Sequence, residues 1–284
     1  MKELVIISGK GGTGKTSITA SFAVLAECAV LADCDVDAAD LHLVLSPTIQ
    51  TRETFISGHV AEIREADCTQ CGLCEEICRF DAIHNFKVED LSCEGCGTCA
   101  EFCPVKAIDF SEQECGEWYT SATRHGAMVH ARMYTGAENS GKLVSLVRQE
   151  ARKIANKQNS NTLLVDGPPG IGCPVIASIT GADAVLVVSE PTLSGEHDLK
   201  RVLQLTNHFK IPAMVCINKW DINADMTEQI ETTAQALGAK PVGRVPYDKA
   251  VTTAQINAKA LVEESDGEAA QAVRKTWETI CSTM

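Results

Sequence analysis

The stretch "LVIISGKGGTGKTS", Leu4 to Ser17, constrains what this chain can fold into more than any other. The apolar run Leu4–Ser8 reads as a buried parallel strand, and Ser17–Ala26 reads as the helix that follows it. Between them, Gly9, Gly14, Lys15 and Thr16 satisfy the pattern G-x-x-x-x-G-K-[ST]. Gly9, Gly11, Gly12, Thr13, Gly14 and Ser17 complete a loop whose backbone N–H groups converge on phosphate oxygens, where a helix N-terminus also favours an anion. Lys15 is expected on the β- and γ-phosphates of a nucleoside triphosphate, and the Thr16 hydroxyl on Mg²⁺. A strand, a phosphate loop and a helix in this order belong to an α/β sheet.

The later pattern agrees. "CAVLADCD" reads as a strand ending at Asp35, "NTLLVDGPPG" as one ending at Asp166, "DAVLVVSEP" as one ending near Glu190, and "PAMVCINKWD" as one ending near Asn218. Helical stretches separate them, notably "GEHDLKRVLQLTNHF" and "MTEQIETTAQAL", and Gly141–Lys157 reads as another helix. Strands alternating with helices, with functional residue types at strand C-termini, predict a doubly wound, mostly parallel sheet. At 284 residues, 45% of them hydrophobic, the chain has enough apolar material for one large domain or two small ones.

One segment breaks the rhythm. Cys68, Cys71, Cys74 and Cys78 follow C-x₂-C-x₂-C-x₃-C, and Cys93, Cys96, Cys99 and Cys103 repeat it. The copies extend to "CTQCGLCEEICRFDAI" and "CEGCGTCAEFCPVKAI", so an internal duplication is the simplest description. This is the bacterial ferredoxin spacing, in which the fourth cysteine of each run ligates the other cluster. One [4Fe–4S] cluster is therefore expected on Cys68, Cys71, Cys74 and Cys103, and the second on Cys93, Cys96, Cys99 and Cys78. Zinc is the rival, because C-x₂-C pairs also suit tetrahedral sites. Pro104 follows the second run as in ferredoxins, whereas Arg79 stands in that place after the first. The predicted organisation is residues 1–58 and 112–284 as an ATPase domain, interrupted at 59–111 by a ferredoxin-like α+β module.

Lys10 adds a family resemblance. "KGGTGKT", with a lysine just after the first glycine, resembles the deviant Walker A loop of the MinD/ParA/Mrp superfamily of ATPases. The resemblance implies that Lys10 reaches across an ATP-dependent homodimer, or a heterodimer with a related ATPase, to the partner's nucleotide. "LADCDVDAADL" resembles the family's first switch. It implies a carboxylate that positions the attacking water, with Asp35 favoured and Asp33 and Asp37 left open. "LLVDGPPGIG" resembles the second switch, implying Asp166 on the Mg²⁺ shell and Gly167 near the γ-phosphate. "CINKWD" resembles the adenine-contacting segment, implying Asn218 as base reader, and "VPYDKA" adds Pro246 and Asp248. A turn residue at a strand end and a helix N-cap are the structural alternatives for Asn218 and Asp248. "HGAMVHARMYTGAENSGKLV", His125 to Val144, also resembles this subgroup but carries no assigned chemistry, and His125 and His130 read as structural.

Composition narrows partners and place. A formal charge of −13 argues against nucleic acid or an anionic membrane as the main partner. The N-terminus lacks the pattern of a signal peptide, and no run of about 18 apolar residues is present, so no membrane insertion is expected and the cytoplasm is the expected compartment. Fourteen cysteines in that compartment favour metal over disulfides.

Three functions compete. In the first, ATP, Mg²⁺ and two [4Fe–4S] clusters work together, and nucleotide state gates electron delivery to a client protein, as in nitrogenase-type iron proteins. In the second, the chain is an accessory ATPase for metallocofactor assembly. It lacks the C-terminal C-x-x-C of Mrp-type relatives, since Cys28, Cys34, Cys115, Cys173, Cys216 and Cys281 form no such pair. In the third, it is a MinD-like positioning protein, but the apolar stripe Val273, Trp277 and Ile280 of its tail is better explained by packing on the sheet than by a membrane. Cys173 lies just past the second switch, where plain burial is the expectation.

Overall fold

The computed structural model describes residues 1–137 and 140–284; Glu138 and Asn139, within the His125–Val144 segment, lie outside the described residues. The chain divides into two compact units. The first comprises Met1–Arg52, Trp118–Arg132 and Ser140–Met284, and the second Glu53–Glu117 and Met133–Asn139.

The elements run β1 (Lys2–Ser8), α1 (Lys15–Leu25), β2 (Val30–Asp33), α2 (Leu41–Leu45), β3 (Thr48–Ile63), α3 (Leu73–Ile77), β4 (Ile83–His84), β5 (Lys87–Val88), α4 (Thr98–Phe102), β6 (Ile108–Thr123) and β7 (Gly126–Met133). They continue α5 (Ser140–Gln158), β8 (Thr162–Pro169), α6 (Cys173–Ile179), β9 (Ala184–Ser189), α7 (Leu193–His208), β10 (Ala213–Asn218), α8 (Ala224–Ala236), β11 (Lys240–Val245), α9 (Ala250–Ile256), α10 (Leu261–Glu264) and α11 (Glu268–Thr283).

The main sheet has the order β11-β10-β9-β1-β8-β2-β7-β6-β3. Every pair from β11 to β7 is parallel. β1 is central: Val5 lies opposite Val165 on one side and Val185 on the other. Its residues Val5, Ile6 and Ile7 are wholly buried. That is why the strand reads as a continuous apolar run and not as an alternation: helices cover both faces of a parallel sheet. Because β1, β2, β8, β9 and β10 run the same way, their carboxyl ends bring Ser8, Asp33, Pro169, Ser189 and Asn218 to one edge, where such sheets bind ligands.

At the opposite end of β1, Glu3 is only 3% exposed and forms ion pairs with Arg148 and Arg152 of α5. Arg148 also donates to the carbonyls of Ala177 and Thr180, so one buried guanidinium ties α5, β1 and α6 together. Beyond the last strand, α11 packs on β11, with Val273 and Ile280 buried and Trp277 at 5.0 Å from the ring of Phe22. The apolar stripe of the tail thus belongs to the core.

The sequence boundaries need correction. β2 ends at Asp33, so Asp35 lies two residues past the strand, and β8 continues beyond Asp166 to Pro169. The second unit starts at Glu53 and ends at Glu117, with Met133–Asn139 added, instead of spanning 59–111. β3 and β6 are each 16 residues long, and the unit boundary falls inside both. Their polar residues, as in "TIQTRET", hide the strand period.

The duplicated cysteine runs fold as duplicated turns. α3 and α4 both start after a glycine in the left-handed region, Gly72 at φ 79° and Gly97 at φ 74°, and both end at a cysteine, Cys78 and Cys103. Only glycine enters that region without a steric penalty, so the paired glycines account for both tight entries. Gln70 and Gly95 share positive φ, as do Asp81 and Lys106. β4 and β5 form a separate antiparallel pair in this unit.

Candidate functional site

The loop after β1 wraps back on itself. Ser8 Oγ donates to the Lys10 carbonyl at 2.8 Å, and Gly14, at φ 89°, caps α1 without a side-chain bond. A Cβ at Gly14 would lie 2.2 Å from Asn218 Nδ2, which donates to the Thr13 carbonyl at 2.7 Å. Glycine is needed there for its φ and for this close approach. The first N–H groups of α1 therefore face out of the helix end unopposed by a cap, the arrangement that accepts phosphate.

Beneath the loop, Lys15 Nζ sits 2.8 Å from Asp166 Oδ1 and 3.4 Å from Asp35 Oδ2. Thr16 Oγ1 donates to Asp166 Oδ2 at 2.9 Å, and Thr19 Oγ1 donates to Asp166 Oδ1 at 2.9 Å. Burial works to lower the Lys15 ammonium, but Asp166 and Asp35 outweigh it and hold it above its ordinary value. The lysine stays charged with only 6% of its surface exposed.

Residues 11–17 line one cavity with Ser8, Asp35, Ala38, Asp40, Pro169 and Gln255; it holds about 770 Å³ of space free of protein atoms, counting its open mouth. Of Asp33, Asp35 and Asp37, Asp35 alone is on that lining. Asp33 is fully buried and accepts from the backbone N–H groups of Asp35 and Leu41, which shapes the turn. Gly167 lies inside β8, where a Cβ would meet Ile7 at 2.7 Å. Asp248 Oδ1 accepts from Ala250 N at 2.8 Å at the start of α9, and neither it nor Pro246 lines the cavity. Asn218 holds the loop, as described.

Gln255, which donates to Ser17 Oγ at 3.0 Å, carries no motif and was not legible. Nor was Glu190: it pairs with Lys10 at 2.6 Å and with Lys219 at 3.4 Å. Cys173 is exposed, contrary to the expected burial, because it opens α6 straight after the loop Gly170–Gly172. His130 Nε2 bonds Ser121 Oγ at 2.9 Å, and burial, with His42 nearby, pushes it down to about 4. His125 pairs with Glu263 at 2.9 Å.

Burial pushes Asp35 up to about 6, against the pull of Lys15 and with the push of Asp166. A carboxyl raised above its ordinary 3.8 gives the fold stability that is full below that value and lost as pH rises through about 6. Asp35→Asn is therefore expected to stabilise the nucleotide-free protein at pH 7.5 by about 1–2 kcal/mol, after allowance for solvent screening on its open side. The gain should shrink as pH falls through about 6 and vanish only below about 3.8, where the carboxyl is neutral in the folded and the unfolded chain alike. Denaturant titrations at both pH values check this, and an equal gain at both would show that the carboxylate is not strained.

The second unit holds two cysteine-lined cavities. Cys68, Cys71, Cys74 and Cys103 line one, of about 330 Å³ free of protein atoms, with Ile63, Pro104 and Val105. Cys78, Cys93, Cys96 and Cys99 line the other, of about 350 Å³, with Ala61, Phe80 and Phe110. Backbone N–H groups point at sulfur in a repeated way: Ala82 N at Cys78 Sγ (3.4 Å) and Ala107 N at Cys103 Sγ (3.3 Å). Among the described residues, no group of three or more His, Cys, Asp or Glu is gathered to hold a single metal ion, and all fourteen cysteines are free.

Residues 4–262 match the sequence model of the CobQ/CobB/MinD/ParA nucleotide binding domain. The chain is 33% identical over 224 residues to the uncharacterized protein MJ0578 of Methanocaldococcus jannaschii, covering 78% of this chain and 79% of that one. Against the uncharacterized protein MJ0579 of the same organism it is 25% identical over 275 residues, 94% of each chain. The cell division ATPase MinD of Pyrococcus furiosus superposes with a TM-score of 0.62 at 18% identity, over 100% of this chain and 99% of that one. The Mg-ADP complex of MinD from Pyrococcus horikoshii gives 0.61 at 17% identity, over 98% and 95%. At such identities these structures speak to the fold.

Proposed function

The chain belongs to the CobQ/CobB/MinD/ParA nucleotide-binding family, and from that premise we propose that it is a Mg-ATP-hydrolysing dimer carrying two [4Fe–4S] clusters, whose nucleotide state governs electron transfer to a partner protein. The observation that carries the cluster half is the composition of the two cavities: each takes three cysteines from one run and the fourth from the other. That is the interleaving the ferredoxin spacing requires. Four soft thiolates per cavity, with N–H donors aimed at Cys78 and Cys103, suit iron–sulfur ligation, and such hydrogen bonds tune its potential. When bound, the clusters supply one-electron storage.

The nucleotide half rests on residues already gathered. Lys15 neutralises the β- and γ-phosphates, Thr16 and Asp166 hold Mg²⁺, and Asp35, on the cavity wall, orients the water. Lys10 completes the site of a second copy; the base side is assigned to Asn218, which holds the loop at Thr13, with Pro246 and Asp248 lying outside the cavity that the loop residues line. Phosphoryl transfer needs this positioning and charge neutralisation more than covalent help. ATP then favours the closed dimer by contacts that hydrolysis removes. The protein works in the cytoplasm on a redox client; no helix among the described residues is long and apolar enough to cross a membrane.

A second reading, a MinD-like positioning ATPase that recruits a protein on ATP binding, is favoured by the full-length likeness to MinD. It shares the dimer and the ATPase site and leaves the eight cysteines without a task. The deciding measurement is the cluster EPR signal and midpoint potential of anaerobically purified protein, with and without Mg-ATP. The proposal expects a shift of about 60 mV or more, tenfold in equilibrium for a one-electron couple. A signal that nucleotide leaves unchanged overturns the coupling.

A further inference from the structure

β3 is the last strand of the main sheet, so among the described residues one of its edges has no neighbouring strand. Within the second unit, residues 60–63 of that strand line a groove together with Glu65, residues 86–88 and Asp90. It holds about 900 Å³ of space free of protein atoms, counting its open mouth. Successive side chains of a strand point to opposite faces, so four consecutive residues share one groove only along the strand's edge. The far wall is the β4–β5 hairpin. Its turn residues Asn85 and Phe86 are both left-handed, at φ 50° and 58°, as a tight two-residue turn requires. Phe86 N donates to Glu75 Oε1 at 2.7 Å, which pins that wall to α3. Ala61 also lines the cavity of Cys78, Cys93, Cys96 and Cys99, and Ile63 and Phe86 line that of Cys68, Cys71, Cys74 and Cys103. The groove thus shares a wall with each cysteine cavity.

We propose that this groove docks an extended, basic segment of the redox client, which lies along β3 as one more strand; the proposal rests on the electron-transfer reading above. Main-chain hydrogen bonds to an open sheet edge give such docking its affinity, and the flanking side chains give its selectivity. Residues 60–63 contain no proline, so each keeps its N–H group. Charge selects the occupant. Glu62, Glu65 and Asp90 line the groove, with Lys87 the one cation among the described residues that do so. Lys87 lies 3.7 Å from Glu65, but their side chains are 76% and 77% exposed, and so open a pair does not hold the groove shut. Residues 53–117 carry fifteen carboxylates against four arginines and lysines, a net −11 of the chain's −13. A second copy of this chain sets those carboxylates against their own kind, which disfavours self-pairing at this edge. A strand rich in lysine or arginine meets complementary charge instead. Seated there, the client lies beside both cysteine cavities at once.

The test uses the anaerobically purified full chain and, as probe, a fluorescein-labelled octapeptide of alternating lysine and valine. Anisotropy titration is expected to show saturable binding, and amide hydrogen exchange at residues 60–63 should slow in the complex. Two further probes carry methyl groups on the backbone nitrogens of the lysines or of the valines. Charge is unchanged, but one of the two sets must face β3, so one of these probes should bind about tenfold more weakly or worse. Glu62→Gln with Asp90→Asn should weaken binding about three- to tenfold. Glu112→Gln with Glu114→Gln removes the same charge from exposed positions of β6 outside the groove, and should leave binding unchanged. Absent binding, indifference to both methylations, or equal loss in both double variants overturns the docking site. Iron analysis of the same samples keeps the two readings apart. Iron-loaded protein that ignores the probe overturns the groove alone, and iron-free protein that binds it overturns the cluster reading while the groove stands.

Discussion

Lys15→Ala is expected to weaken Mg-ATP binding by about a hundredfold or more and to bring hydrolysis below detection. Lys15 stands between Asp166 at 2.8 Å and Asp35 at 3.4 Å, with fully buried Asp33 close behind. Removing the ammonium leaves carboxylates with no counter-charge at the place where a triphosphate must enter. Breaking a buried pair by deleting one partner typically costs about 3–5 kcal/mol, and about 2.7 kcal/mol already makes a hundredfold in affinity. Lys15→Arg keeps the charge but not the compact ammonium, and should recover part of the binding and little of the turnover. Calorimetric titration with Mg-ATP, steady-state phosphate release and a melting curve for each variant separate loss of affinity from loss of fold. A Lys15→Ala protein that binds and hydrolyses normally would end the phosphate-loop reading.

The second large effect concerns iron. Protein purified without oxygen is expected to hold about eight irons per chain and to be brown. Cys78→Ala and Cys103→Ala should each lower that to about four, although they lie in different runs. The sharper experiment removes Cys68, Cys71, Cys74 and Cys103 together. About four irons should remain, held by Cys93, Cys96, Cys99 and Cys78, because these four line a cavity of their own. If each run instead kept its own cluster, this variant would hold none. Iron analysis and EPR of the dithionite-reduced protein give the outcome, and a colourless wild type with zinc at its thiolates would refute the cluster assignment outright.

Much of the nucleotide cavity was legible because its chemistry demands short spacing. Gly14, Lys15 and Thr16 must be neighbours for one loop to wrap one phosphate, and they line the cavity together. The choice among Asp33, Asp35 and Asp37 was not legible. It depends on β2 stopping at Asp33, which spends that carboxylate on the backbone N–H groups of Asp35 and Leu41. Likewise Gln255 reaches the cavity from α9, 238 residues from its partner Ser17, with no pattern to announce it. β3 escaped notice because much of it is exposed, from Thr48 to Thr54, so it shows no alternation of apolar and polar residues.

The amino-acid order alone determined the phosphate loop, the parallel α/β sheet that must support it and the doubled cysteine spacing, since each is written within a dozen or so consecutive residues. The folded chain decided what those parts touch. Asn218 ties down Thr13, Asp166 takes both Lys15 and Thr16, and Glu190 claims Lys10 from far along the chain. Such meetings depend on strand order and register across the sheet, which bring distant strand ends to one edge, and no local pattern encodes that distance.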